Sequence, residues 1–277
     1  MSGFSPEWLT LREPSDHRAR DAMLGLKLAD RLQKRSTITV TDLGCGTGSN
    51  IRATYALLGP EQHWTLVDYD PKLLAAARAH LKAWADRATA HGERLELVKS
   101  GKRLMVSFRE ANLVTALEPA LGERPDLITA SALFDLCSVS FIERFAKAVA
   151  ARKSMFYTVL TYNGIQKWTP KHAADGAMLD AFHEHQATDK GFGPSAGPHA
   201  PATLARAFKA QGYAVHEGDS PWLLGRSDQP LIDALAPGFA GAVAELGKVA
   251  ATKLADWRSV ARRGCEVGHT DTLALPG

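Results

Sequence analysis

The chain has 277 residues, 45% of them hydrophobic and 23% charged, and a net charge of +3. That length supplies the core of one large α/β domain more readily than two equal ones, and its Lys and Arg residues are spread out, without the basic stripe that tracks nucleic-acid phosphates. Three cysteines, Cys45, Cys137 and Cys265, are odd in number and far apart, and no apolar stretch approaches a membrane span or forms a signal peptide, so a soluble cytoplasmic protein without a metal site is expected.

The first helix is expected to open near Pro14 and to carry Ala19, Met23, Leu26 and Leu32 on one face, with Arg12, His17, Arg18 and Arg20 around its start. Positive charge there opposes the helix macrodipole, which implies either a solvated basic start or a nearby anion. Residues 1–34 then read as a helical cap ahead of a domain spanning 35–277. Next, Ile38-Thr39-Val40-Thr41-Asp42-Leu43 is rich in β-branched residues, and Ile51, Tyr55 and Leu58 recur at helical spacing until Gly59-Pro60. Between strand and helix, Gly44, Gly46 and Gly48 let the backbone turn sharply and approach a ligand closely. A dinucleotide fingerprint needs a third glycine where Ser49 stands. Asp42, two residues before Gly44, is placed to accept a hydrogen bond from an ammonium group. A second strand, His63-Trp64-Thr65-Leu66-Val67-Asp68, ends in an acid where α/β nucleotide folds bind ribose hydroxyls.

With Asp42-Leu43-Gly44-Cys45-Gly46-Thr47-Gly48 followed by Leu66-Val67-Asp68-Tyr69-Asp70-Pro71, the sequence resembles the class I S-adenosylmethionine-dependent methyltransferases. The resemblance implies an α/β fold: a Rossmann-like, seven-stranded, mostly parallel sheet with an antiparallel last strand and helices on both faces. It implies S-adenosylmethionine as cofactor, held by Asp42, Gly44, Cys45, Gly46, Gly48 and Asn50 around the turn and by Asp68 and Tyr69 after the second strand. It further implies that the first helix is a lid, with Arg12 or Arg18 meeting the methionyl carboxylate.

Further along, Asp70-Pro71 opens a helix with Leu74, Ala77, Leu81 and Trp84 inside. Residues 95–98 and 104–108 both alternate, and one of them is the third strand. The resemblance places Asn112, where an aspartate is commoner, at the adenine amino group. A fourth strand, 125–131, brings Ser131 to the ligand crevice, and Asp135 just beyond is either an acid facing methyl group and acceptor or a helix cap. Ser140-Phe141-Ile142-Glu143 has the form of a capping box. The fifth strand, 155–162, is nearly continuous in apolar and β-branched residues and ends in Tyr162. From Asn163 to His199 the chain is polar and aromatic, with one short helical patch at 178–182, and about 163–200 reads as a substrate-facing insertion. His183 and His185 stand two apart and so do not share a helix face; the run from His185 to Pro194 is either a loop closing over an acceptor or a crossover turn. A helix over 202–211, a sixth strand over 213–217, helical stretches from Pro230 and over 240–262, and an antiparallel seventh strand over 269–275 complete the pattern.

The implied activity is methyl transfer to an O or N atom of a small polar molecule, an in-line displacement with no covalent enzyme intermediate. For a hydroxyl acceptor, Asp135, His183 or His185 would serve as base; for an amine, a carboxylate or the Tyr162 hydroxyl. An RNA or protein methyltransferase would show a basic face around Arg12, Arg18 and Arg20. A binding protein without turnover is a further alternative, and an NAD(P)-dependent oxidoreductase is opposed by Ser49 and Asp42.

Overall fold

In the computed structural model, which describes residues 4–277, the chain runs α1 (Pro6–Ala19), α2 (Ala22–Leu32), β1 (Thr37–Leu43), α3 (Ser49–Thr54), β2 (Glu61–Asp68), α4 (Pro71–Trp84), β3 (Arg87–His91), β4 (Arg94–Lys99) and β5 (Lys102–Glu110). It continues with α5 (Leu117–Leu121), β6 (Leu127–Ser131), α6 (Val139–Arg152), β7 (Met155–Thr169), α7 (Asp175–Gln186), α8 (Ala200–Ala210), β8 (Ala214–Asp219), β9 (Trp222–Leu224), α9 (Gln229–Glu245), α10 (Ala251–Ser259) and β10 (Gly264–Leu275).

One sheet organises these elements, in the order β3-β4-β5-β2-β1-β6-β7-β10-β8, with β9 also on β10. The five strands from β5 to β7 are parallel, and β10 is antiparallel to both its neighbours, as expected of the last strand. Three strands exceed the expected seven: β3 and β4 extend the β5 edge as an antiparallel meander, and β9 is a short addition. Of the two alternating runs, the third parallel strand is therefore β5. Two apolar layers cover the sheet. One joins Leu28 and Leu32 of α2, Phe239 and Val243 of α9 and Trp257 of α10 to Ile38 and Trp64. The other packs Phe141 and Phe145 of α6 and Phe208 of α8 on Phe134 and Phe156. Helices on both faces follow.

The N-terminal reading needs correction. Pro14 lies inside α1 rather than at its start, and the helix is capped nine residues earlier by Ser5, whose Oγ accepts from the Trp8 N–H at 3.2 Å. His17 and Arg18 thus occupy the last turn, where positive charge complements the macrodipole and needs no anion. A second cap, Asp21, accepts from the Leu24 N–H at 2.7 Å and starts α2. The buried stripe is Leu24, Leu28 and Leu32, while Met23 and Leu26 of the expected face are exposed.

Two other boundaries move. The α6 cap is Ser138, which accepts from the Phe141 N–H at 3.2 Å, so Ser140 sits in the first turn and the capping-box reading is two residues late. Residues 163–169 continue β7 against β10, because the β10 backbone satisfies N–H and C=O groups that a loop would leave to water. The expected helical patch is the longer α7.

Candidate active site

The glycine turn leaves β1 at Leu43. Gly44, Gly46 and Gly48 have φ of 60°, 53° and 75°, the left-handed region that other residues adopt at a cost. The Cys45 N–H donates to Val67 O at 3.0 Å, and the Gly46 N–H donates to Asp68 Oδ2 at 2.9 Å, which lash the turn to the end of β2. The Asp70 N–H donates to the other oxygen of Asp68 at 3.1 Å. A Cβ on Gly46 would stand 3.0 Å from Leu9 Cδ1 of α1, the helix that roofs the turn.

Above the turn lies a cavity of about 490 Å³. Of the expected cofactor residues, Gly44, Cys45, Gly46, Asn50, Asp68, Tyr69, Asn112 and Ser131 line it together, with Leu73, Leu113 and Leu133 as apolar walls. The residues fit an adenosyl group: an open backbone cradle, an acid at a strand end and flat apolar walls in one enclosure.

Three expected cofactor residues do not line that cavity. Asp42 is wholly buried behind Asn50, whose Nδ2 donates to its Oδ1 at 2.7 Å and to Thr129 Oγ1 at 3.1 Å; Asp42 therefore positions Asn50 and does not reach a ligand ammonium. Gly48 serves packing, since a Cβ there would stand 3.5 Å from Ala77 Cβ of α4. Arg18 points away from the cavity to pair with Asp228 and to donate to Ser15 Oγ at 3.2 Å. Arg12, the other basic candidate, does line it.

Asp42 Oδ2 has no partner among the described residues, and burial pushes the Asp42 carboxyl up to about 7. The native state thus holds a proton there that the unfolded chain releases near pH 4, so this group favours folding below that pH, and its contribution is lost as pH rises through about 7. The stability of Asp42→Asn relative to the parent is expected to improve steadily from pH 4 to pH 7 in urea melts; a constant difference would contradict a protonated Asp42.

A second cavity, also about 490 Å³, adjoins the first and shares Phe4, Arg12, Ala132 and Leu136 with it. Trp8, Tyr162, Phe182, Trp222 and Phe239 make its walls largely aromatic. At the junction the backbone is strained: Ala132, just past β6, and Leu160 of β7 have φ of 50° and 59°. Leu160 is held there by Asp271, which accepts from its N–H at 2.8 Å, from the Asp21 N–H at 2.9 Å and from Ser220 Oγ at 2.5 Å.

Asp135 lines this second cavity; its Oδ1 is shut off from solvent without a partner among the described residues, and burial pushes the carboxyl up to about 6. Tyr162 lines the same wall, and its oxygen lies 3.0 Å from His183 Nε2. That nitrogen is also 3.1 Å from Gly164 O, and a carbonyl only accepts, so Nε2 carries the proton and is shared between the two oxygens. Burial raises the Tyr162 hydroxyl, next by the Asp135 charge, so it stays protonated and suits donation rather than proton abstraction.

The structure separates His185 from Asp135 and Tyr162. It lies on the first cavity, not the second, and pairs with Glu245 at 2.9 Å. His183 and His185 share α7 but face different partners, as their spacing requires. The loop after α7 also borders the first cavity. Asp189 Oδ1 accepts from the Gly191 and Gly193 N–H groups at 2.6 and 2.9 Å, and Phe192 packs edge-on against Phe141. The loop thus borders the first cavity and not the second.

Several residues of the second cavity escaped the sequence reading. Trp222 donates from Nε1 to Asp16 Oδ1 at 3.0 Å, and the Arg12 guanidinium, bonded to Asp16 at 2.9 and 3.2 Å, lies 5.0 Å from the Trp222 ring centre. His269 is buried, and Gln166 and Gln186 complete the polar set. A signal existed for part of it: His269 and Asp271 occupy alternate positions of a strand whose C-terminal end, Leu273-Ala274-Leu275, is apolar, and buried polar groups are kept only where something pairs them.

Among the described residues no cluster of three or more His, Cys, Asp and Glu side chains is arranged for a metal ion, and no helix is long and apolar enough to cross a membrane.

Comparison with known proteins adds an independent line. Residues 40–153 match the family model described as a methyltransferase domain. No curated protein matches the sequence. Among solved structures, a cyclopropane-fatty-acyl-phospholipid synthase-like protein from Lactobacillus casei is 18% identical with a TM-score of 0.53, over 99% of this chain and 95% of that one. The YcgJ protein from Bacillus subtilis is 13% identical with a TM-score of 0.52, over 92% and 99%. A cyclopropane synthase from Mycobacterium tuberculosis is 13% identical with a TM-score of 0.51, over 98% and 94%. At these identities the likeness is one of fold. The domain match ends at α6, before the elements that build most of the second cavity. With its glycine turn, strand-end acid and sheet order, the chain carries a methyltransferase domain over residues 40–153, and its cofactor is S-adenosylmethionine.

Proposed function

We propose that this methyltransferase acts on an O or N atom of a small molecule bound in the aromatic cavity. One observation carries the reading: the second cavity adjoins the first, with Ala132 and Leu136 lining both, and Asp135, without a partner among the described residues at Oδ1, stands beside that junction. S-adenosylmethionine supplies an electrophilic methyl group there.

The chain's own groups then divide the work. Asp68 accepts from the ribose hydroxyls, and Asn112 faces the adenine edge. Ser131, Tyr69, Cys45 and Asn50 complete the enclosure, over the backbone of Gly44 and Gly46. Asp135, largely ionised above about pH 6, takes the acceptor's proton, and the Tyr162 hydroxyl holds the acceptor in line. Helix α1 caps both cavities through Leu9, Trp8 and Arg12. Residues 163–200 contribute Gln166, Phe182 and Gln186 to the acceptor side.

A nucleic-acid or protein substrate would call for a free basic face near α1. Instead Arg12 is bonded to Asp16, Arg18 to Asp228 and Arg20 to Thr54, which favours a small acceptor. The buried free thiols of Cys45, Cys137 and Cys265 suit the cytoplasm. Incubation with methyl-labelled S-adenosylmethionine and separate cell-extract fractions tests the reading. Label is expected in the low-mass fraction; label in RNA or protein alone, or in no fraction, would overturn it.

A further inference from the structure

Among the described residues, the fully buried polar atoms of the second cavity that have no partner are acceptors. Asp135 Oδ1 and Gln186 Oε1 are both shut off from solvent with no hydrogen bond. His269 adds a third. Its Nδ1 lies 3.3 Å from Ser220 O, a carbonyl that can only accept, so Nδ1 carries the proton and Nε2 presents a lone pair. Burial, reinforced by the Arg12 charge, lowers the imidazole to about 3, so Nε2 stays unprotonated near neutral pH. The cationic side chain on this cavity, Arg12, already gives Nε and one terminal nitrogen to Asp16.

A buried acceptor left without a donor is costly, and two such oxygens on one cavity, with the His269 lone pair beside them, select for a ligand that brings the donors. The walls select its body. Trp8, Tyr162, Phe182, Trp222 and Phe239 offer ring faces and edges to a flat π-system. An anionic ligand would be placed beside the Asp135 carboxyl with the Arg12 charge already committed.

We propose that the methyl acceptor is a flat aromatic molecule carrying at least two N–H or O–H donors and no anionic group. This rests on the second cavity being the acceptor site. One donor meets Asp135 and is the group methylated; another meets His269 or Gln186 and fixes the ring's orientation. Methylation removes a donor, so the product binds more weakly than the substrate.

Calorimetry on the full chain, with and without S-adenosylhomocysteine, tests this with four probes: a vicinal naphthalenediol, its bis-methyl ether, a naphthoic acid and inositol. The diol is expected to bind at least about tenfold more tightly than each of the others. In Asp135→Asn and in Gln186→Leu the diol should lose about tenfold while the ether is unchanged. Equal or tighter binding of the ether, the acid or inositol, or no binding by the diol, would overturn the proposal, and the ranking on the parent protein does so without reliance on any variant. The methyltransferase reading is judged separately in the same cell, by whether S-adenosylhomocysteine binds.

Discussion

Asn in place of Asp135 is expected to lower turnover by roughly a hundred- to ten-thousand-fold, the range for loss of a positioned general base, while cofactor affinity stays within about twofold. Asn retains the shape and one acceptor oxygen but cannot take a proton. The two halves of this expectation separate because Asp135 lines the second cavity and not the first. The pH profile carries a further sign. Burial holds the carboxyl near 6, so kcat/KM should rise with pH through about 6 as the base ionises. In Asp135→Asn that limb should vanish. A variant with parental turnover and an unchanged acid limb would remove Asp135 from the chemistry and leave it as a packing residue of the turn after β6.

The second large effect concerns the cofactor. Asp68→Ala should weaken S-adenosylhomocysteine binding by roughly 2–4 kcal/mol, about thirtyfold to several hundredfold. Two causes add. The acceptor for the ribose hydroxyls disappears, and the Gly46 N–H loses the oxygen 2.9 Å away that holds the turn against β2. Asp68→Asn divides them, because an amide oxygen can still receive the Gly46 N–H. Its affinity should fall between those of the parent and of Asp68→Ala. Calorimetry reads both variants, with thermal melts in the absence of ligand to report any loosening of the turn. Parental affinity in Asp68→Ala would contradict the placement of the cofactor at the end of β2.

What the sequence disclosed about the fold was its repeating physics. The β-branched run into Gly44, the acid closing β2 and the apolar strand from Met155 each depend on local patterning, and all three lie where expected. The misreadings have tertiary causes. Pro14 has the local look of a helix start, yet the helix is anchored from Ser5, and its Trp8, Leu11 and Arg12 side chains pack toward the cavities and the core. Asn163 and Gly164 look like a strand end until β10, a hundred residues later, supplies the pairing. The first cavity was legible because backbone geometry builds it, and glycine positions report backbone geometry. Asp42 shows the limit. Its proximity to the glycines was visible, but whether its carboxylate faced a ligand or Asn50 depends on the direction of one side chain in the folded sheet. The second cavity was harder still. Its walls come from α1, β7, α7, β9, α9 and β10, which meet only in three dimensions, and Trp222, Gln186 and His269 have no shared motif to link them.

The most direct measurement is calorimetry of the purified protein with S-adenosylmethionine and S-adenosylhomocysteine, with NAD and NADP as controls. Micromolar binding of the two adenosyl compounds, abolished when Gly46 is replaced by a larger residue, is the result that the cavity above the glycine turn predicts. Binding of a nicotinamide cofactor instead, or of none of the four, would contradict it and leave the α/β fold without its proposed chemistry.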